Sequence, residues 1–383
     1  MKVLIVTREW SGWPHFAGST WVPMQYMLGL QRLGIEAVWV DHLTRVDSGS
    51  AVHGVDYKIH RFASTARDFG YEDRWCVVYN GGASYFGRSK SEIRAIAEDA
   101  DLLLSLSGKG LPPPLPLQRV PRRAYLDVDP AFTQIWAEQV DMGLSDYNLF
   151  FTVGRNIGRP GCRAPTNGID WIPMFPPVAL DEWTVSSEPC SQRFSTIGDW
   201  WGDQMADYQG EYYGGKREEF LRILRVPLET ACTIEIALSI YQRDHADLTL
   251  LTENGWRLLE PARVAVDTHA YREFIRHSRA EFSVAKSGYV KSQCGWLSDR
   301  TVCYLASGKP ALVQSTGIES SLPTGQGLLT FRTFEEALAG LRSIDEDYPE
   351  HARAAREIAE RHFDANIVLG QLLERASALR VAV

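Results

Sequence analysis

The sequence holds no apolar run near the roughly 20 residues that a membrane-spanning helix requires, so no membrane span is expected. It has no CxxC pair. Its six cysteines (Cys76, Cys162, Cys190, Cys232, Cys294 and Cys303) are scattered, which reads as reduced, mostly buried thiols of a cytosolic protein. It has no excess of positive charge either. A formal net charge of -8 speaks against a general nucleic-acid binder, though not against a local basic groove. A GxGxxG fingerprint is missing: Gly12 and Gly18 follow the first apolar run at the wrong spacing for a dinucleotide site. The opening MKVLIVTREW regains charge at Arg8 after a very short apolar segment, so it reads as a first strand rather than a signal peptide. No solenoid-length repeat is visible. Together these absences predict a cytoplasmic location.

What is present is a long, core-rich chain. Its 383 residues suit two domains, and 45% hydrophobic with 23% charged residues predicts packed soluble cores. Lys2 to Thr7 is a continuous apolar strand. A helix follows from about Thr20 to Leu33, stopped by Gly34, and then a strand from Glu36 to Val40. This β-α-β opening is the mark of a parallel sheet. Further strands are predicted at Asp56–His60, Trp75–Tyr79, Asp101–Leu106, Arg123–Leu126 and Tyr147–Val153, with a helix at Ser89–Ala97. Between Phe175 and Gln192 the periodicity stops in a proline- and serine-rich linker. It then restarts with a strand at Arg193–Ile197 and a helix at Lys216–Leu224. A helix at Leu228–Tyr241, a strand at Leu248–Leu251 and a helix at His269–His277 follow, and three helical pieces close the chain.

The most informative stretch is Ser287 to Gly317. It follows a short buried strand, Ala280 to Ala285, and contains a helix start at Ser298-Asp299, a stop at Gly308 and a second strand at Pro310–Gln314. A polar loop at the carboxyl end of a strand is where ligands sit in an open α/β sheet. The free N–H groups of the following helix suit an anion such as a phosphate.

GWLSDRTVCYLASGKPALVQSTG (Gly295–Gly317), LPTGQGLLTF (Leu322–Phe331) and the tail Glu335–Ala365 resemble bacterial GT-B-type glycosyltransferases of the glycosyltransferase family 1-like or spore maturation protein-like group. YLDVDPAFTQ (Tyr125–Gln134) and LFFTVGRNIG (Leu149–Gly158) extend the resemblance, more loosely, into the first half. It implies an α/β fold of GT-B type, two doubly wound Rossmann-like domains facing a cleft. Residues 1–178 would form the acceptor domain and 192–365 the donor domain, with 366–383 a helix crossing back to the first. It also implies transfer of a sugar from a nucleoside-diphosphate sugar, as co-substrate and without a cofactor or metal, to a small-molecule or glycan acceptor. The same resemblance admits a sugar-nucleotide epimerase or a non-catalytic binding or coat component. The pair of glutamates found in many retaining relatives is absent: Asp299 is the only acid between Gly288 and Gly317.

Candidate site residues follow. Ser298, Asp299 and Arg300 mark the donor helix start, with Asp299 the acid for the ribose hydroxyls; an N-cap role for Ser298 is compatible with this. Ser287, Gly288, Tyr289 and Gly317 flank it. Tyr289 or Trp296 would stack on the base, or pack in the core. Lys216 and Arg217 are cations at a helix amino terminus, which opposes the helix dipole; they read either as partners of a pyrophosphate or as a solvated pair. Asp127 and Asp129 form a DxD at a strand end. Asp129 and His15 are the two candidate bases for an inverting reaction, with Asp127 beside them. Gly18, Trp200 and Trp201 are candidates for the acceptor side, the aromatic loop of Trp200 and Trp201 equally suiting core packing around the linker.

Overall fold

The computed structural model describes residues 1–10, 17–44, 54–106, 108–185, 192–202, 205–240 and 244–378. The first half contains strands β1 (Lys2–Arg8), β2 (Glu36–Leu43), β3 (Trp75–Tyr79), β4 (Ser84–Gly87), β5 (Leu102–Ser105), β6 (Arg122–Asp127), β7 (Leu149–Thr152) and β8 (Ile172–Pro173). Its helices are α1 (Ala17–Arg32), α2 (Val55–Asp68), α3 (Lys90–Asp99) and α4 (Phe132–Gln139). The second half contains β9 (Arg193–Asp199), the β10–β11 ribbon (Ala206–Tyr208, Glu211–Tyr213), β12 (Thr233–Ser239), β13 (Arg257–Leu259), β14 (Ala280–Ser283), β15 (Ala311–Gln314) and β16 (Leu328–Phe331). Its helices are α5 (Arg217–Arg222), α6 (His245–Glu253), α7 (Pro261–Val264), α8 (Thr268–Arg276), α9 (Ser287–Ser292) and α10 (Asp299–Ala306). Then come α11 (Phe334–Glu346), α12 (Tyr348–His362) and α13 (Ala365–Ala378).

Among the described residues the strands form two main sheets. One runs β4-β3-β2-β1-β5-β6-β7-β8 and the other β13-β12-β9-β14-β15-β16. All pairings are parallel except β3 with β4 and the separate β10–β11 ribbon. Each sheet reverses its strand order beside its own first strand, β1 and β9. That is the doubly wound arrangement, in which a crevice opens at the carboxyl ends of the strands flanking the reversal.

Three expected elements change type. Asp56–His60 lies inside α2, because Ile59, Phe62 and Ala66 are buried at helical rather than alternating spacing. Leu228–Tyr241 contains strand β12 instead of a helix. Its β-branched residues Thr233, Ile234 and Ile236 fit a central strand between β9 and β13. Leu248–Leu251 belongs to α6, whose buried residues Asp247 and Leu251 stand four apart on one helix face.

The two halves share a hydrophobic core. Trp21 and Met24 of α1, Tyr271 and Phe274 of α8, Tyr304 of α10, Ile358 of α12 and Leu369 of α13 belong to one buried cluster. The segment read as a linker is partly built into it. Trp183 is fully buried against Trp21 at 4.8 Å between ring centroids, and Val178 exchanges backbone hydrogen bonds with Phe363 and Ala365. Helix α13 packs on α1 where Gly29 leaves room. A Cβ there would stand 2.6 Å from Leu369 Cδ1 and 2.7 Å from Ala365 Cβ. Gly29→Leu is therefore expected to destabilise the protein by about 1–3 kcal/mol through overpacking, read as a lowered midpoint in chemical denaturation. An unchanged midpoint would show that α13 is not held against α1.

Candidate active site

The carboxyl ends of the two sheets open into a common cleft with a cavity of about 350 Å³. Trp10 follows β1, Val128 and Asp129 follow β6, and Val153 follows β7. Facing them are Gly198 and Asp199 at the end of β9 and Lys286 just after β14. Helix α1 adds Gln25 and Tyr26, and Trp296 to Arg300 form the other wall.

Cations converge on the second-half side. Lys216 is 6% exposed, and among the described residues no carboxylate pairs with it. Burial, then the charges of Arg300 and Lys286, pulls its amine down to about 7. Glycine at 198 makes this possible, since a Cβ there would stand 2.9 Å from Lys216 Nζ and 3.8 Å from an Arg300 Nη1. Arg300 is committed on every side. Its Nε donates to Glu281 at 2.7 Å, one Nη to the Ile197 carbonyl at 2.6 Å and the other to Ser283 Oγ at 2.7 Å. Burial, the largest single influence, opposes its charge, but Glu281 together with Tyr271 and Tyr304 outweighs it and holds the guanidinium above its ordinary value. Ser298 caps α10 by accepting from the Arg300 N–H, so the first turn of α10 faces the cleft beside Asp299. Burial raises the Asp299 carboxyl, against the pull of Arg300.

One ionic contact spans the cleft. Lys286 Nζ donates to Asp129 Oδ1 at 3.0 Å, and the Tyr289 hydroxyl donates to the same oxygen at 2.5 Å. Burial alone would raise the Asp129 carboxyl. The Lys286 charge and the two hydrogen bonds overcome it and hold the group below its usual value. Tyr289 stays protonated, its phenol raised by burial and by Asp129.

The structure distributes the sequence candidates unevenly. Asp129, Lys216, Tyr289, Trp296, Ser298, Asp299 and Arg300 line the cleft together. Asp127 does not. It is 2% exposed and accepts from Gln134 at 2.8 Å, Thr152 at 2.7 Å and the Asp129 N–H at 3.2 Å, with burial raising it to about 6. It shapes the turn that presents Asp129. Arg217 turns away to Asp247, donating at 2.7 and 2.8 Å, with Trp201 over its guanidinium. Trp200 is fully buried with its indole N–H on Asp247, so it packs a core rather than meeting an acceptor. Trp201 is exposed and donates to Asp244, outside the cleft lining. Tyr289 gives its ring face to Trp296, stacked at 4.2 Å, rather than leaving it open for a base.

The flanking glycines serve close approach. A Cβ at Gly18 would stand 3.1 Å from the Tyr271 ring, and one at Gly288 would collide with Phe132. Ser287 accepts from the Gly214 N–H, which steadies the loop before Lys216. Gly317 (φ 87°) belongs to a clamp: Asn156 donates to the Gln293 and Gly317 carbonyls at 3.1 and 3.0 Å and its N–H to Cys294 at 2.9 Å. His15 lies outside the described residues. Lys286 and Asp199 were not singled out by sequence reasoning. A polar residue directly after a buried strand was the available signal for both.

Comparison with known proteins agrees with this layout. Residues 232–374 match the family described as Glycosyl transferase-like. No curated protein matches the chain. Among solved structures, an alpha-glucosyltransferase in complex with UDP and a 13-mer DNA superimposes with a TM-score of 0.60 at 11% identity, over 98% of this chain and 99% of that one. Alr3699/HepE of Anabaena in complex with UDP-glucose superimposes with a TM-score of 0.58 at 12% identity, over 99% and 100%. The architecture is the GT-B fold that the sequence resemblance implied.

The buried Arg300–Glu281 pair holds this wall of the cleft. Glu281→Ala leaves a buried guanidinium without its carboxylate, and the expected loss is about 3–5 kcal/mol in denaturant-induced unfolding. A loss below about 1 kcal/mol would mean that the pair is not what fixes the wall.

Proposed function

We propose that this chain, a GT-B-fold protein with a glycosyl transferase-like second half, moves a sugar from a UDP-sugar to a small-molecule or glycan acceptor. Residues 192–365 bind the donor, residues 1–178 the acceptor, and 366–383 tie the two together. The observation that carries the reading is the pair of lysines, Lys216 and Lys286, beside the first turn of α10 in the inter-sheet cleft. In this reading they receive the diphosphate. Charge that develops on the leaving group meets two ammonium groups and a helix amino terminus already in place, the basis for reading the transfer as metal-independent. Asp299, at that helix start, accepts from the nucleotide's hydroxyls.

Asp129 is the base in this reading. Lys286 cannot fully serve Asp129 and a diphosphate at once, so donor binding weakens the contact that keeps the carboxylate acidic. The carboxylate then becomes a better proton acceptor for the incoming hydroxyl. His15 is the second candidate base. No cofactor enters the scheme; the UDP-sugar is a co-substrate.

Calorimetry with UDP tests the donor site. Lys216→Met is expected to weaken UDP binding at least about tenfold, near 1.4 kcal/mol. The depressed amine supplies a sharper signature. Near pH 8 a lysine that titrates at about 7 is mostly neutral, and a diphosphate beside it favours the charged form. UDP binding should then take up a proton, up to about one, seen as an enthalpy that varies with buffer ionisation. The uptake should vanish in Lys216→Met; no uptake in the parent protein would remove Lys216 from the diphosphate site.

For the base, Asp129→Asn should lower UDP release from UDP-glucose by about 10²–10⁴-fold while UDP still binds. Undiminished turnover in both Asp129→Asn and His15→Ala would dismiss both candidates.

A further inference from the structure

A second recess adjoins the cleft, and Trp10 lines both. Trp39 and Phe62, ring centroids 4.5 Å apart, contribute its aromatic surface, together with Trp10 and Thr20. Helix α2 completes it with Lys58, Arg61 and Thr65. The enclosed space is about 20 Å³, enough for one small group rather than a whole sugar.

The two cations carry the argument. Lys58 and Arg61 stand three residues apart, on one face of α2, and both are half-buried. Among the described residues neither pairs with a carboxylate. Arg61 spends one Nη2–H on the Val266 carbonyl at 2.6 Å, while its Nε is buried and has no hydrogen-bond partner. A buried donor left unmade is costly, and a pair of like charges side by side adds repulsion. An anion between them would relieve both. Guanidinium and ammonium together, with the Thr20 hydroxyl at hand, suit a phosphate or a carboxylate.

We propose that this recess seats the anionic group of the acceptor, and that the acceptor is a small molecule carrying a phosphate or carboxylate. The rest of the molecule crosses Trp10, whose indole offers a flat apolar face to a sugar or other ring, and its hydroxyl enters the cleft near Asp129. The inference rests on the transferase reading for the word acceptor, but the anion site itself stands on α2. The net charge of -8 favours a small anion over a nucleic acid, which would need a continuous basic track.

The test is a titration of the full chain, with and without saturating UDP, using glucose 6-phosphate, glucuronate and glucose as probes. Binding of at least one charged probe about tenfold or more tighter than glucose is expected, with the stronger of the two identifying phosphate or carboxylate. That preference should disappear in Lys58→Met/Arg61→Met and weaken in Lys58→Glu, whose side chain makes no hydrogen bond or ion pair among the described residues. UDP affinity should be unchanged in both variants. Equal binding of glucose and the charged probes, or a preference that survives the double substitution, would overturn the proposal. So would tight, Lys58-dependent binding of a short DNA duplex in place of the sugars. If UDP does not bind the parent protein, the donor reading fails, while the titrations without UDP still decide the anion site.

Discussion

The geometry of the cleft depends on one buried guanidinium. Arg300 lies in the first turn of α10, yet its three donor groups reach Glu281 and Ser283 on β14 and the Ile197 carbonyl on β9. These are the two strands that flank the order reversal of the second sheet. A single side chain thereby fixes the helix start to the strand ends between which a ligand crevice opens. The arrangement is possible because Glu281, fully buried, meets Arg300 at 2.7 Å, and because Gly198 leaves space where a side chain would collide. The same glycine admits Lys216, so the most perturbed cation of the cleft shares its space with the most tightly held one.

Across the cleft the two halves are not loosely tethered. Asn156 grips two carbonyls of the second half, Trp21 donates its indole N–H to the Thr268 carbonyl, and α13 lies on α1. Such continuity keeps Asp129 opposite Lys286. It also makes their ion pair, at 3.0 Å and only partly exposed, a contact between the halves. In the proposed reading, a rigid frame with an exchangeable ionic contact couples donor binding to the state of the base.

The side-chain assignments from sequence succeeded where local rules decide them. Ser298 caps α10 as its position before an apolar helix indicated, and the buried strands β1, β5, β14 and β15 were legible as short continuous apolar runs. They failed where the deciding contact is remote. Trp200 and Trp201 sit next to each other in an aromatic loop, but one is core and the other surface, because Asp247 on a distant helix takes the first indole N–H. Asp127 and Asp129 look equivalent in a DxD, and residues two apart share one face of an extended strand, but β6 ends at Asp127 and Asp129 lies in the turn beyond it. One carboxylate turns into the sheet toward Thr152 and the other into the cleft toward Lys286.

The sequence by itself determined the class of structure: alternating buried strands and amphipathic helices, two units, and a polar loop followed by a capped helix. These follow from periodicity, capping and turn chemistry, which act over a few residues. Only the tertiary structure decided which charges meet. The place of Lys286 after a buried strand marks it only as a polar residue at a sheet edge; its partner is Asp129, 157 residues away in the chain. Lys216 and Arg217 are neighbours in sequence, but burial against Gly198 makes one a cleft cation while Asp247 draws the other outward. Burial and pairing set the chemistry of an ionisable side chain, and both are properties of the folded whole.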